Sequence, residues 1–386
     1  MSAGDWKNCR RILCVRPDNL GDLVMTTPAL RALRAAVPGR TLTLLASSVG
    51  AALAPHLPDI DDCIRFDAPW YKHDIQDSPA QLASLIETLR ERDFDAAVIF
   101  TVFSQSPLPS AMLCHMAGIR RVAAYCRENP YALISDWIPD TEPFNGMPHE
   151  VERQLRLVSR VGAVPDDARL SVKVKRRDRG QVDAVLEELE LADDDRWVLM
   201  HPGASEEKRR YPGERYAAVA RRLWKRHGVR TVISGSAAEA PLAASIAEGA
   251  GHGATSVAGR FSLGEFIALI ERAPLLVSNN TGPVHLAAAL GTPVVVMYAL
   301  TNPQHTPWQV PHRVLYFDVP PGLESRNVLV RLGARHAFPE PAGLPEPGQV
   351  VAAIVELLEE EEVTLTMNNA SLPVSSHAAG FDGVAP

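Results

Sequence analysis

The sequence lacks metal-binding cysteine motifs, long apolar segments and a surplus of positive charge. Its five cysteines are scattered and form neither a Cys-x-x-Cys pair nor a Cys/His cluster, which argues against a zinc site or a disulfide framework. The two longest runs without charged residues, 96–119 and 273–312, are interrupted by proline, serine and histidine, so neither is typical of a membrane span. The N-terminus has no apolar core of a signal peptide. These absences predict a cytoplasmic protein.

The net charge and the length of the chain restrict the kind of protein further. Lys and Arg total 39 against 46 Asp and Glu, for a net charge of −7, which argues against a nucleic-acid partner but allows a local basic pocket. Hydrophobic residues make up 46% and charged residues 22% of 386 residues, as in ordinary globular proteins. That length predicts two domains.

Short β-rich runs alternate with helical patterns along the first half, which is typical of βαβ units and a parallel sheet. The strands predicted there are Arg11–Arg16, Thr41–Ala46, Cys63–Asp67, Ala96–Val102 and Arg121–Tyr125. The helices predicted there are Pro28–Ala36, Ala80–Arg92 and His149–Val161. Thr27 and Pro28 resemble an N-cap followed by proline at the first helical position, although Asp22 is an alternative helix start.

The second half repeats the alternation. Its predicted strands are Trp197–His201, Thr231–Ser234, Thr255–Val257, Leu275–Ser278 and Pro293–Tyr298. Its predicted helices are Glu214–Arg226, Ala238–Glu248, Leu263–Arg272, Pro283–Leu290 and Gln349–Glu360.

We therefore predict two Rossmann-like, doubly wound α/β domains that face a central cleft, with ligands beyond the carboxyl ends of the strands. The predicted domains are residues 1–170 and 171–362. The Ser- and Ala-rich residues 363–386 are predicted to be a disordered tail.

The first candidate site residue is Asp22, in Arg16-Pro-Asp-Asn-Leu-Gly-Asp22 after the first strand. The glycine-rich dinucleotide fingerprint is absent here, which argues against a nicotinamide site. Gly21 permits a tight turn, and Asp22 would then face the cleft. The alternative is that Asp22 only stabilises a helix N-terminus.

Two further strand ends carry candidate ligand groups. His201-Pro-Gly-Ala-Ser205 precedes the cations Lys208, Arg209 and Arg210, a pattern that suits a diphosphate or, alternatively, a solvated basic face. Glu239 follows Ser234-Gly-Ser and could accept hydrogen bonds from a ribose diol, or be an ordinary glutamate in the first turn of a helix.

The strongest motif is Ser278-Asn-Asn280-Thr281-Gly282-Pro-Val-His285, a strand end followed by a helix start. Free N–H groups at such a terminus favour an anion. His285 lies on the helical face of Thr281, although a lone histidine there is more often part of the core. No charged residue lies between Arg272 and Arg313, so cations would have to come from the Lys208–Arg210 segment.

Together these segments resemble glycosyltransferase family 9, the ADP-heptose:lipopolysaccharide heptosyltransferases. The resemblance spans roughly residues 11–310 and is most specific in SNNTGPVHLAAALGTPVVVMYALTNP. It implies a GT-B fold and an inverting, metal-independent transfer of heptose from ADP-heptose, the donor substrate, to a saccharide or lipid-linked acceptor. No cofactor is implied.

The resemblance also implies roles for individual residues. Asp22 matches the proposed general base, and Ser205 with Lys208 or Arg209 matches the diphosphate-contacting loop, without deciding between the two cations. Glu239 matches the ribose-binding glutamate. Asn280, Thr281 and Gly282 lie in the matching diphosphate-binding turn, and His285 matches the histidine beside the sugar.

Two departures from the family pattern leave alternatives open. Asn280 and Asn302 stand where the family usually has aspartate, which removes anionic acceptors from the site. The alternatives are a catalytically silent sugar-nucleotide-binding protein and a sugar-nucleotide epimerase of similar architecture. The sequence does not identify the acceptor. Asp67–Ser78 and Asn129–Met147 suit a saccharide, the inner membrane surface or ordinary loops.

Overall fold

A computed structural model of the protein describes residues 3–71, 79–191, 195–338 and 340–370. The strands of the first half are β1 Arg11–Val15, β2 Thr41–Ala46, β3 Asp62–Arg65, β4 Ala96–Ile99, β5 Val122–Cys126 and β6 Asp136–Pro139. The helices of this half are α1 Leu20–Ala35, α2 Ser48–Leu53, α3 Pro79–Glu91, α4 Leu108–Met116 and α5 Glu150–Ser159.

The second half has the same alternation. Its strands are β7 Trp197–His201, β8 Arg230–Ile233, β9 Ala254–Ser256, β10 Leu276–Asn279, β11 Val294–Ala299 and β12 His312–Phe317. Its helices are α6 Arg176–Glu188, α7 Gly213–His227, α8 Ala240–Ala250, α9 Leu263–Arg272, α10 Gly282–Leu290, α11 Val328–Ala337 and α12 Pro347–Ala370.

Each half forms one six-stranded parallel sheet. The orders are β3-β2-β1-β4-β5-β6 and β12-β11-β10-β7-β8-β9, the same Rossmann order in both halves. In each sheet, successive strands are added first on one side of the first strand and then on its other side. This change of strand order falls between β1 and β4 in the first sheet and between β7 and β10 in the second. Side chains that follow these strands therefore meet at a crevice. This confirms the predicted pair of doubly wound domains.

The central strands are buried on both faces, as parallel sheets require. Ile12 and Cys14 of β1 pack in a core between the two halves, whereas Leu13 and Val15 pack on the outer side against α3 and α4. The inner core continues through α1 and α10 to Leu199 of β7. Because the halves share this core, the helix starts that carry the candidate site are held against each other.

Helix α1 begins earlier than predicted. It starts at Leu20 rather than Pro28, and Pro28 lies inside it. Proline cannot donate to the carbonyl four residues earlier. Here the hydroxyl of Thr27 donates to that Val24 oxygen at 2.7 Å instead, so the helix continues. The earlier start places Asp22 in the first turn.

Several elements were not predicted from the sequence, among them the edge strands β6 and β12 and the helices α2, α4 and α11. The last helix also continues past the predicted end at Glu360 to Ala370, through a segment without proline or glycine. Residues 371–386 of the predicted tail lie outside the described residues.

Residues 160–175 connect α5, which packs on α1, to α6, which packs on α9. The predicted domain division at residue 170 falls in this connection and stays a prediction. None of the helices in the described ranges combines the length and apolarity needed to cross a bilayer.

Candidate active site

A cavity of about 370 Å³ lies between the halves, where both sheets present the carboxyl ends of their strands. The predicted site residues that line it are Asp22, Ser205, Arg209, Glu239, Asn280, Thr281, Gly282 and His285. Lys208 lines a neighbouring cavity of about 140 Å³ with Thr301 and Arg331, and its Nζ lies 2.6 Å from Glu206. The structure thus places Arg209, and not Lys208, in the shared cavity.

Two helix N-termini meet in the cavity, α1 from the first half and α10 from the second. A Cβ on Gly282 would lie 3.0 Å from Leu20, and a Cβ on Gly21 would lie 3.5 Å from the Cα of Gly282. Glycine at both positions therefore allows the helix starts to approach closely. Their positive ends make the space favourable for anionic groups.

Asp22 occupies the third position of α1, and the N-cap is Asn19. Its side chain is 12% exposed, with Oδ1 3.7 Å from Nη2 of Arg16 and 3.8 Å from Nε2 of His305. Burial raises the pKa of Asp22, but His305 and Arg16 lower it by more, so the pKa lies below its usual value. The carboxylate is therefore ionised at neutral pH and faces the cavity.

Arg16, which the sequence reasoning did not single out, organises the buried charges under Asp22. The guanidinium is fully buried; Nη2 donates to Glu150 Oε1 at 2.8 Å, and Nε lies 3.3 Å from Asp18 Oδ2. Burial raises the pKa of Asp18 to about 7, although Arg16 lowers it. Arg16 and Asp18 lie in the motif of residues 16–22 that follows β1. Their position at the carboxyl end of a strand was the sequence signal that could have identified them. Nothing local in α5 identified Glu150.

Two imidazoles flank Asp22, the buried His285 and the largely buried His305. His285 of α10 and His305 of the β11–β12 connection meet edge to face, with ring centroids 6.2 Å apart. Burial lowers the pKa of His285 to about 3, so its ring is neutral at physiological pH. Within the described residues, Nδ1 of His285 has no hydrogen-bond partner. His285 therefore offers a neutral polar atom inside the site.

The loop after β7 brings Arg209 to the cavity. Nη2 of Arg209 lies 3.8 Å from Glu206, and its buried Nε has no hydrogen-bond partner among the described residues. A buried guanidinium donor without an acceptor is costly unless a ligand supplies one. Ser205 is exposed at the rim of the same loop. The loop thus presents a cation and a hydroxyl to the cavity.

Glu239 lies at the end of β8, opposite this loop. Its Oε2 accepts hydrogen bonds from the backbone N and the hydroxyl of Ser236 at 2.7 and 2.8 Å, which forms a capping box. Burial raises the pKa of Glu239, but these two bonds, together with His201 and Arg210, lower it to below its usual value. Oε1 lies against Gly203, where any added Cβ would collide with it. Glu239 is therefore both a helix cap and an ionised acceptor in the cavity.

The start of α10 is open to a ligand. Thr281 is the N-cap, but its hydroxyl makes no capping bond and contacts the Asn279 carbonyl at 3.4 Å. Asn279 ties the surrounding loops together, since Nδ2 donates to Pro202 O at 2.7 Å and Oδ1 accepts from Tyr211 N at 2.9 Å. Asn280 is buried beside this turn. The uncapped start leaves N–H groups available for an anion.

The rest of the lining is largely apolar on one side. Leu263 and Phe266 of α9 line the cavity, and the Phe266 ring lies 5.2 Å from that of His201. Among the described residues, no group of three or more His, Cys, Asp or Glu side chains is arranged to hold a metal ion. Chemically, the cavity combines two ionised carboxylates, a neutral imidazole, the Arg209 cation and an uncapped helix start.

Comparison with known proteins places these features in a family. The model of glycosyltransferase family 9 (heptosyltransferase) matches residues 82–323. Lipopolysaccharide heptosyltransferase 2 of Escherichia coli is 25% identical over 307 residues, which cover 77% of this chain and 85% of that protein. Lipopolysaccharide heptosyltransferase 1 of Pseudomonas aeruginosa is 26% identical, covering 77% and 80% of the two chains.

Solved structures share the fold. The family 9 glycosyl transferase from Veillonella parvula superposes with a TM-score of 0.72 at 22% identity, covering 91% of this chain and 97% of that chain. ADP-heptose lipopolysaccharide heptosyltransferase II of E. coli superposes with a TM-score of 0.67 at 23% identity, covering 91% and 99%. Both similarities concern the whole two-domain arrangement.

Proposed function

Since the chain belongs to glycosyltransferase family 9, we propose that it moves a heptose or related sugar from an ADP-sugar to a hydroxyl of a saccharide or lipid-linked acceptor. Asp22 is the proposed general base. The observation that carries the proposal is that Asp22 of the first half lines the same cavity as the uncapped start of α10 from the second half.

The second half would bind the donor. Glu239 Oε1 suits a ribose hydroxyl, Leu263 and Phe266 provide an apolar wall for the base, and Arg209 with the Thr281–Gly282 amides suits the diphosphate. A relative structure, E. coli heptosyltransferase WaaC, was solved with ADP, and it is 20% identical to this chain with a TM-score of 0.61. The ADP bound to that relative supports an adenine nucleotide as the nucleotide part of the donor.

The reaction follows from the placement of charge. Asp22 would take the proton of the acceptor hydroxyl while the oxygen of that hydroxyl attacks the anomeric carbon from the side of the first half. The bond from that carbon to the diphosphate breaks, and its electron pair leaves with ADP, so the anomeric configuration inverts. Arg209 and the α10 N-terminus would stabilise the departing charge.

The acceptor would enter from the first half. The names of the relatives point to a lipopolysaccharide saccharide. The candidate acceptor segment Asn129–Met147 belongs to this half and contains β6. Residues 72–78 of the other candidate segment lie outside the described residues. Contact with a membrane surface stays a prediction.

The test of the base is Asp22→Asn. Turnover of ADP-heptose with heptose-deficient lipopolysaccharide is expected to fall about 10²–10⁴-fold, the usual weight of a general base, with calorimetric affinity for ADP retained. The control is Asp93→Asn, an exposed aspartate before β4 at the opposite edge of the sheet, which should keep full turnover. Unchanged turnover in Asp22→Asn would refute the assignment.

Two further measurements test the donor and the proposed metal independence. A thermal-shift series with ADP-, GDP- and UDP-sugars should favour the ADP-sugar, since ligand at 100 times its Kd adds about 2.7 kcal/mol of stability. Activity should persist in EDTA. Binding of ADP-heptose without turnover on any acceptor would instead identify a catalytically silent binding protein.

A further inference from the structure

The connection between β11 and β12 reaches from the second half into the first. Gln304 Nε2 donates to Glu142 Oε2 and to Pro148 O, each at 2.7 Å, and the Gln304 carbonyl accepts from Glu150 N at 3.0 Å. Four residues after Gln304, the Trp308 ring stacks on the His149 ring, with centroids 4.4 Å apart. These contacts hold His305, the next residue after Gln304, beside Asp22.

His305 lies between two carboxylates without hydrogen-bonding to either. Its Nε2 is 3.8 Å from Asp22 Oδ1 and 3.9 Å from Glu150 Oε2, both beyond hydrogen-bond range. The charged and titratable groups that face His305 are Asp22 of α1, His149 and Glu150 at the start of α5, His285 of α10, Arg16 after β1 and Arg209 after β7.

The partner of that nitrogen is an amide. Asn302 Nδ2 lies 3.1 Å from His305 Nε2. The orientation of the amide is fixed independently, because Asn302 Oδ1 accepts the backbone N–H of Gln304 at 3.0 Å. A flipped amide would set its NH₂ group against that N–H. The backbone carbonyl of Asn302 accepts from the Tyr298 hydroxyl, which holds the residue in place. Since Nδ2 can only donate, Nε2 of His305 has to accept.

We propose that Asn302 is a positioning residue which holds His305 as the neutral tautomer with its proton on Nδ1. A proton on Nε2 would oppose the Asn302 N–H across 3.1 Å. The neutral ring cannot donate to Asp22, so the carboxylate stays free for a substrate hydroxyl. This catalytic meaning rests on the proposed role of Asp22, whereas the tautomer itself does not.

Electrostatics agree with a neutral ring. Burial lowers the pKa of His305, and although Asp22 and Glu150 raise it, the net direction is downward. The part of the Asp22 pKa lowering that comes from His305 requires a protonated ring. An imidazolium would therefore pair with Asp22 and weaken it as a base, whereas the neutral ring does not. Asn302 thus protects the basicity of Asp22 by denying Nε2 a proton.

The direct test is Asn302→Asp, which preserves size and the acceptor for Gln304 N but replaces the donor by a carboxylate oxygen. Imidazole ¹⁵N NMR should show His305 of the wild type with an unprotonated Nε2 from about pH 6 to 8, and Asn302→Asp should move the proton to Nε2 and raise the His305 pKa. Loss of the signals in His305→Gln assigns them. Asn327→Asp, which adds a carboxylate at the exposed N-cap of α11, should leave the tautomer unchanged.

The kinetic test separates positioning from simple damage. Asn302→Asp is expected to lower kcat roughly tenfold near pH 6, as about one pKa unit of lost basicity would, with less loss at pH 9 and an unchanged donor KM. In a His305→Gln background the same substitution should have no further effect.

A protonated Nε2 in the wild type, or an unchanged tautomer in Asn302→Asp, would overturn the tautomer assignment. A pH-independent loss of kcat would overturn its catalytic meaning. Failure of the Asp22 proposal shows separately, as full turnover of Asp22→Asn.

Discussion

Gly21 and His285 come from opposite halves of the chain and touch where helices α1 and α10 begin. A Cβ placed on Gly21 would lie 2.7 Å from Cδ2 of His285, closer than a real Cβ contact. The imidazole is buried and cannot swing away into solvent. Glycine at position 21 therefore sets the spacing between Asp22, the next residue, and the helix start opposite it.

Gly21→Ala should push these helix starts apart. We expect a loss of about 10–10² in kcat/KM, the scale of a misplacement of up to 1 Å, and a stability cost of about 1–3 kcal/mol from overpacking. The control is Gly180→Ala in α6, where an added Cβ meets nothing within 4 Å. That variant should keep its activity and gain about 0.5–1 kcal/mol. Full activity in Gly21→Ala would show that the contact does not govern the site.

Arg209 and Lys208 are adjacent cations with different surroundings, and a matched pair of variants separates them. Arg209→Met should weaken ADP binding about 10–100-fold, because a charge-assisted hydrogen bond is worth roughly 1.5–3 kcal/mol. Lys208→Met should change it by no more than about threefold, since Lys208 lines the neighbouring cavity. Calorimetry with ADP measures both. The reverse ranking would assign the diphosphate to Lys208.

Glu239 has a structural twin in Glu265. Each closes a capping box with a serine, Ser236 or Ser262, but only Glu239 lines the cavity. Glutamine at N3 can still accept the N–H of the N-cap residue, so Glu239→Gln and Glu265→Gln should both lose little stability, and by similar amounts. Only Glu239→Gln should weaken ADP binding, by about tenfold for one charged hydrogen bond. Equal ADP affinity in both variants would reduce Glu239 to a helix cap.

Asp18 should make stability depend on pH. Burial raises its folded pKa to about 7, so between about pH 4 and 7 the folded chain keeps a proton that the unfolded chain has lost. This contribution makes stability fall as pH rises through that window, by at most about 1.4 kcal/mol per pH unit. Asp18→Asn removes it.

Comparing the two proteins by denaturant unfolding at several pH values isolates this effect, because contributions from histidines cancel in the difference. Losing the contact to Arg16 costs Asp18→Asn a constant amount, so the slope of the difference with pH is the readout. A difference that stays constant from pH 4 to 7 would contradict the raised pKa of Asp18.

The alternation of apolar runs with helical patterns was enough to predict two doubly wound sheets, because parallel strands buried on both faces leave a strong local signal. Strand-end motifs gave Asp22, Glu239 and the Asn280–His285 turn for a similar reason, since the carboxyl edge of such a sheet follows from chain order alone. Trp197–His201 and Leu263–Arg272 were predicted to the residue. The edge strands β6 and β12 escaped prediction. Most of their residues are only half-buried or exposed, so they lack the continuous apolar run of a strand that is buried on both faces.

The sequence could not predict which charged groups that are distant along the chain come close enough to interact. That Arg16 binds Glu150, 134 positions away, and that His305 crosses from the second half to reach Asp22, depends on how the two sheets pack. Local patterns report the period of a helix or strand, whereas pKa values and tautomers depend on neighbours brought together by the whole fold. The motifs therefore determined which chemistry is available, and the packing of α1 against α10 decided how those groups are charged and which of them face one another.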